Sequence, residues 1–265
     1  LIESLIALVS SSNGWNGALL ALFSVALSIA ASNFAWSIAR ASNSSLAQSL
    51  RAAGNQPAPR ALFEILRMGY YIGIPFAALQ LGWINLRVMG LGVLDWAEGV
   101  RWAIILVLAG WLALIAIWLP YLRATRDVYA TPETQFSFPR RLVEVVYMQA
   151  HWAFYRAAAI GFLQGLIPDA LYWGTVIGLG LTALEAFAAP RVRERLTHIG
   201  AADALVWNFG QAVLNALGFV VTRNLYLLFV MHLLLELSVP HLRAMPSERA
   251  ALVPPPVPRP QGARE

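Results

Sequence analysis

Apolar residues run along this chain in seven blocks, at Asn16–Ala39, Ala61–Leu86, Trp102–Leu122, Leu142–Gly165, Asp169–Ala188, Ala204–Val221 and Leu225–Val239. A helix needs about 20 mostly apolar residues to cross the hydrocarbon core of a bilayer. Strands of a membrane barrel are shorter and alternate apolar with polar positions, and these blocks do neither. The pattern predicts an all-α integral membrane protein, a bundle of about seven transmembrane helices. It forms one domain over residues 1–240, followed by a proline-rich tail over 241–265.

The segments between the blocks are polar. Ala41–Arg60 is rich in Ser, Ala and Asn and ends in Pro57 and Pro59, which marks a connector. Val88–Trp96 is amphipathic and predicts a segment lying in the membrane interface. Arg123–Arg140 is polar, with Pro132 and Pro139 placed to stop helices on either side. Pro254–Pro260 is dense enough in proline to predict polyproline II. Glycines spaced four apart, at Gly69 and Gly73, Gly161 and Gly165, and Gly174 and Gly178, predict close helix contacts. Pro75 predicts a kink in the second span, and Trp15, Trp83, Trp102, Trp118 and Tyr121 sit where interface anchors belong.

Charge adds an orientation. All 19 basic residues are Arg, against 14 acidic residues, for a net charge of +5. Arg40, Arg51 and Arg60 belong to the first loop, with Arg67 just beyond, Arg123, Arg126, Arg140 and Arg141 to the third, and Arg191, Arg193 and Arg195 to the fifth. The tail carries Arg243, Arg249, Arg259 and Arg264, whereas the loops between hold only Arg87, Arg101 and Arg223. Positive loops stay in the cytoplasm, so the alternation predicts an outside N-terminus and a cytoplasmic C-terminus in a multi-pass cell-membrane protein. Because these charges flank membrane spans, nucleic acid is not the expected partner. The absence of Cys from the sequence excludes disulfides, thiolate catalysis and Cys-ligated metals. No cleavable signal pattern precedes the first span, which is long enough to stay in the membrane.

Ionisable and strongly polar side chains at membrane depth mark function or pairing. The fourth span holds Glu144, His151 and Arg156, and the fifth holds Glu185. The sixth carries Asn208, Gln211 and Asn215 on one face, and the seventh carries His232 and Glu236 four apart. The polar core is therefore expected within residues 142–240. A buried guanidinium requires an anion or several carbonyls, so Arg156 is expected to meet Glu144, Glu185 or backbone carbonyls of the polar cluster.

The segment from Gly218 through Arg223 and Tyr226 to His232 and Glu236 resembles the last conserved block of the CAAX protease and bacteriocin-processing (CPBP) family. In that family a Gly ends one span, a short Arg-containing turn follows, and the next span carries His-x-x-x-Asn or Asp. His151-Trp-Ala-Phe-Tyr-Arg156 resembles the first block, Glu-Glu-x-x-x-Arg, and Asn85–Arg101 resembles the region before the catalytic core. The resemblance covers roughly the last two thirds of the chain and implies the fold of a glutamate-dependent intramembrane protease. The paired glutamates, the first of them the general base, fall here at His151 and Trp152. The second block's Phe-x-x-x-His falls near Leu181–Phe187, which offers Glu185 and no His. Of the usual polar set, Arg156 and His232 remain.

The expected function is thus that of a degenerate, non-catalytic member serving as scaffold, assembly factor or accessory subunit of a larger membrane complex, with lipid and other membrane subunits as partners. An alternative is an active intramembrane endopeptidase with a rearranged site of His151, Arg156, Glu185, His232 and Glu236. A second alternative is a cofactor- or pigment-carrying subunit, with His151 or His232 as axial ligand. Two His and two carboxylates would also suit a divalent cation, but the chain has no His-Glu-x-x-His, and neither a metal nor a cofactor is assigned. The readings part on whether His151, Glu185, His232 and Glu236 converge on one water-accessible cavity.

Overall fold

A backbone in hydrocarbon has no water to bond, so each apolar block must satisfy its N–H and C=O groups internally, as helix. The computed structural model describes residues 13–41, 45, 48, 49, 52, 56–92, 94–118, 120, 137–197 and 199–251. Among these the chain is helical with no strand. In order run α1 (Asn13–Arg40), α2 (Pro57–Met68), a π-helical turn (Gly69–Gly73), α3 (Ile74–Gln80), α4 (Leu86–Met89) and α5 (Trp96–Ala113). A second π-helical turn (Leu114–Trp118) is followed by α6 (Phe138–Leu163), α7 (Ala170–Ala188), α8 (Pro190–Leu196), α9 (Ile199–Thr222) and α10 (Leu225–Ala251). Five stretches are long and apolar enough to cross a membrane: Gly14–Arg40, Pro57–Gln80, Trp96–Ile117, Ala170–Ala188 and Leu205–Thr222. This is an all-α protein of membrane type.

α6 is absent from those five, for a physical reason. Residues 153–160 are buried without interruption, so this stretch is covered on every side. It packs against α1, α4, α7, α10 and the first π-turn. A helical stretch enclosed by protein needs no apolar face toward lipid. α5, α9 and α10 pack together beside it, around Phe219, Leu228 and Met231. Outward positions such as Leu22, Phe23, Ile104, Leu108 and Leu112 stay exposed, as lipid-facing residues do.

The glycines divide by role. A Cβ on Gly174 would lie 2.6 Å from Ile160 N, and one on Gly178 would lie 2.6 Å from Arg156 Cα. Those two let α7 lie directly on α6, as expected. Gly161 meets Gly14 of α1, while Gly165 has φ +89° and nothing near its Cβ position; it makes the turn after α6. Gly69 and Gly73 touch nothing either, contrary to expectation, because they bound the π-turn. That wider turn comes just before Pro75, whose ring crowds the carbonyl four residues back. The expected bend-prone site is thus a π-turn and a proline together.

Pro139, expected to stop a helix, instead lies in the first turn of one, and Pro57, at the end of the expected connector, does the same. Pro57 and Pro139 occupy the first turns of α2 and α6, where the missing N–H has no intrahelical partner anyway. Val88–Trp96 is no continuous amphipathic helix: α4 ends at Met89, Gly90 takes φ +82°, and α5 begins at Trp96 under an Asp95 cap. α10 continues to Ala251, past the Val239 where the apolar block ends. Tyr121, Pro132 and Pro254–Pro260 lie outside the described residues, as do half of Ala41–Arg60 and most of Arg123–Arg140.

Two sets of contacts tie the ends of the bundle. At one end Arg40 pairs with Glu194 at 3.6 Å and Arg140 with Glu64 at 2.9 Å, joining the first, third and fifth loops. At the other, Leu225 N donates to Gly90 O at 2.8 Å, joining the second loop to the α9–α10 turn. In that turn Arg223 adopts φ 48°, a left-handed conformation costly for a residue with a Cβ. Asn224 Oδ1 then caps α10 by accepting from Leu227 N at 3.2 Å.

We expect Gly178→Ala to cost about 1–3 kcal/mol by overpacking the α6–α7 contact. Gly180→Ala, two residues on with nothing within 4 Å, costs nothing measurable. Unfolding midpoints of the two variants in mild detergent check this; equal midpoints would refute it.

Candidate functional site

The polar residues of α6 sit on two faces. Tyr147, His151 and Tyr155 recur every four residues and point one way, while Gln149, Trp152 and Arg156, spaced three and four, point another. The first face meets α1, the π-turn and α7, and the second meets α7, α9 and α10, so one helix serves two networks.

On the first face Glu185 of α7 is the hub. His151 Nε2 lies 3.0 Å from Glu185 Oε2, Tyr155 Oη donates to the same oxygen at 2.9 Å, and Tyr70 Oη donates to Oε1 at 2.9 Å. Tyr70 comes from the π-turn. Its hydroxyl also lies 3.1 Å from Ser24 O and 3.2 Å from Tyr155 Oη, so α1 joins the cluster. An ionised carboxylate only accepts, which puts the His151 proton on Nε2. His151 Nδ1 is then buried without a partner. The imidazole is enclosed by the rings of Tyr155, Tyr70 and Tyr71 at centroid distances of 4.3, 4.9 and 5.0 Å.

On the second face Gln149 reaches α9 and α10. Its Nε2 donates to Asn215 Oδ1 at 2.7 Å and lies 2.9 Å from His232 Nδ1. An amide nitrogen has two protons, enough for both, so His232 Nδ1 accepts and Nε2 carries the hydrogen. That Nε2 is buried without a partner. Trp152 stacks flat on the His232 ring, with centroids 5.3 Å apart and planes within 1°. Asn215 Nδ2 donates to Gln211 O at 2.7 Å. Gln211 and Asn215 are buried whereas Asn208 is exposed, so the predicted polar stripe is only partly internal.

Arg156 departs from expectation. It is buried, yet meets neither Glu144 nor Glu185. Its guanidinium carbon lies 3.7 Å from the Phe219 ring centroid, and Nε and Nη2 have no hydrogen-bond partner. The acids are engaged elsewhere. Glu144 is held by Arg67 at 2.6 Å and by Arg140, four residues earlier on its own helix, at 2.8 Å. Glu185 is engaged by three donors of the first network. Beside Arg156 lies a cavity of about 10 Å³, roughly one water in size. Trp152, Thr175, Thr182 and Asn215 line it with Arg156.

Glu236 belongs to neither face. It accepts from Trp207 Nε1 at 2.7 Å and lies 4.0 Å from Arg141, whose Nη1 also bonds Glu236 O. The four residues expected to converge therefore fall into three places: His151 with Glu185, His232 with Gln149 and Asn215, and Glu236 with Trp207 and Arg141. Among the described residues no three of His, Cys, Asp and Glu gather as a metal site. A macrocycle on either His would have to displace the rings packed against it.

Sequence reading missed Tyr70, Tyr155, Ser24 and Gln149. Tyr155 and Gln149 had a signal, lying within two turns of His151 on a helix already marked as polar. Tyr70 and Ser24 had none, because their nearness to Glu185 depends on the π-turn and on α1 packing. Comparison with protein-family models, curated proteins and solved structures finds no match.

Glu185→Ala would strand three donors, each costing about 1–3 kcal/mol when left buried and unpaired. We expect it to be more destabilising than Tyr70→Phe, which removes one bond worth about 1 kcal/mol. In a double-mutant cycle, Tyr155→Phe and Glu185→Gln should couple by about 0.5–3 kcal/mol. Additive effects in detergent unfolding would mean that the network is not a unit.

Proposed function

We propose that this chain is a non-catalytic, CPBP-like membrane protein that acts as a scaffold, assembly factor or accessory subunit of a larger membrane complex. One observation carries the reading. Glu185, the carboxylate that lies beside a candidate His, already accepts from His151, Tyr155 and Tyr70 beneath a cover of aromatic rings. A general base needs a free lone pair within reach of a water. A carboxylate with three donors in place is built to hold helices α1, α6, α7 and the π-turn together.

The proposal includes a topology. Seven crossings follow if α6 and α10 join the five long apolar stretches, α6 shielded at the centre and α10 contributing the shorter apolar helix Leu225–Ser238. The N-terminus is outside and the tail cytoplasmic. Ion pairs joining the first, third and fifth loops support this, since such pairs form only on one side of a bilayer. The Gly90–Leu225 bond supports the opposite grouping of the second and sixth loops. The exposed apolar side chains of α1 and α5 suit lipid tails or neighbouring subunits.

The hydrolytic reading has one observation in its favour. His151 is paired with a carboxylate through one ring nitrogen, Nε2, and its other, Nδ1, is unpartnered, a carboxylate–imidazole pairing like that of a catalytic triad with the two ring nitrogens exchanged.

Purified protein incubated with prenylated and leader-type peptides should cleave neither. In mild detergent it should migrate as an assembly heavier than the 29.0 kDa chain, with defined subunits cross-linked to it. Cleavage that is abolished by Glu185→Gln in folded protein would replace this reading with the hydrolytic one. Cysteines placed in the second and third loops should label from opposite faces of the membrane; labelling from the same face refutes the topology.

A further inference from the structure

Arg156 poses a charge problem that the protein does not solve with its own side chains. The guanidinium is 4% exposed and lies inside the bundle. It is positively charged under all ordinary conditions. Among the described residues no carboxylate pairs with it, and its Nε and Nη2 are unpartnered. Phe219 offers a ring face at 3.7 Å, which attracts a cation but satisfies no N–H. An unpaired charge in a low-dielectric interior costs several kcal/mol, and the usual outcome is a counter-charge.

We propose that the cavity beside Arg156 binds a small monovalent anion of chloride size, which neutralises the guanidinium. The cavity is the size of one water, so it restricts an occupant to a single small ion and is too small for a phosphate or a lipid headgroup. No acidic side chain lines it. Asn215 spends one amide hydrogen on Gln211 O and keeps the second, a further donor beside Arg156. Thr175 and Thr182 donate to Leu171 O at 2.7 Å and Gly178 O at 3.1 Å. Those carbonyls belong to helical turns and already have backbone partners, so either hydroxyl can turn toward an anion at small cost. Trp152, in the cavity wall, also stacks on His232, which links an occupant to the second network. The site is distinct from the Glu185 cluster on the other face of α6 and does not depend on whether that cluster is catalytic.

The test uses the full chain in detergent, with sodium chloride exchanged for sodium gluconate at constant ionic strength. Chloride and bromide should each raise the thermal unfolding midpoint by about 2–4 °C over gluconate. Crystals grown in bromide should show anomalous density within hydrogen-bonding distance of the Arg156 guanidinium. Arg156→Gln should abolish the salt-specific shift. Should that variant fail to fold, Thr182→Val, which keeps the volume and removes a hydroxyl, should weaken the halide dependence several-fold. Equal midpoints in chloride and gluconate, or bromide density only at other places, would overturn the proposal and leave the cavity to water.

Discussion

The bundle depends on the enclosure of the central stretch of α6, residues 153–160. A polar helix cannot face lipid, because its side chains would lose their hydration and gain nothing in return. Surrounding it with α1, α4, α7, α10 and the π-turn removes that penalty and converts its polar residues into contacts. Other features follow from this. Gly174 and Gly178 are bare because α7 must come close enough to close the wall. The π-turn aims Tyr70 and Tyr71 at His151, where a regular helix would turn neighbouring residues further apart. The outer helices, in exchange, carry almost purely apolar surfaces.

Enclosure also divides the chemistry. On the first face the carboxylate is hydrogen-bonded locally, since Glu185 and its donors form a connected set. The second face is made of neutral amides, an imidazole and an indole, with Arg156 as its one formal charge. Neutral groups suffice to fix register between α6, α9 and α10, and their hydrogen bonds cost less to bury than ion pairs. The ion pairs that exist are kept near the ends of the helices, where Arg67, Arg140 and Glu64 remain partly exposed.

The apolar blocks made the helices legible in the sequence, and the buried polar residues were found where ionisable groups appeared at depth. What the sequence did not reveal was pairing. Glu144 looked available to Arg156, twelve residues on along α6, but Arg140 at four residues and Arg67 from 77 residues away reach it first. Gly69 and Gly73 had the spacing of a helix contact, yet spacing cannot distinguish a contact from the two ends of a π-turn. His151 and His232 read as one candidate site because they are both histidines at depth. Their different azimuths on the packed bundle, which no linear pattern encodes without the helix neighbours, separate them.

The bond from Leu225 N to Gly90 O spans 135 residues of chain and fastens α10 to a loop made long before it. During synthesis Gly90 therefore presents an open carbonyl, and the docking surface around it stays unfinished, until α10 has emerged. The second polar network is in the same position, because His232 arrives with that helix. The first network needs nothing beyond Glu185. Closure of the interior thus follows the order of translation: the Glu185 network can close first, and the network beside Arg156 closes after it.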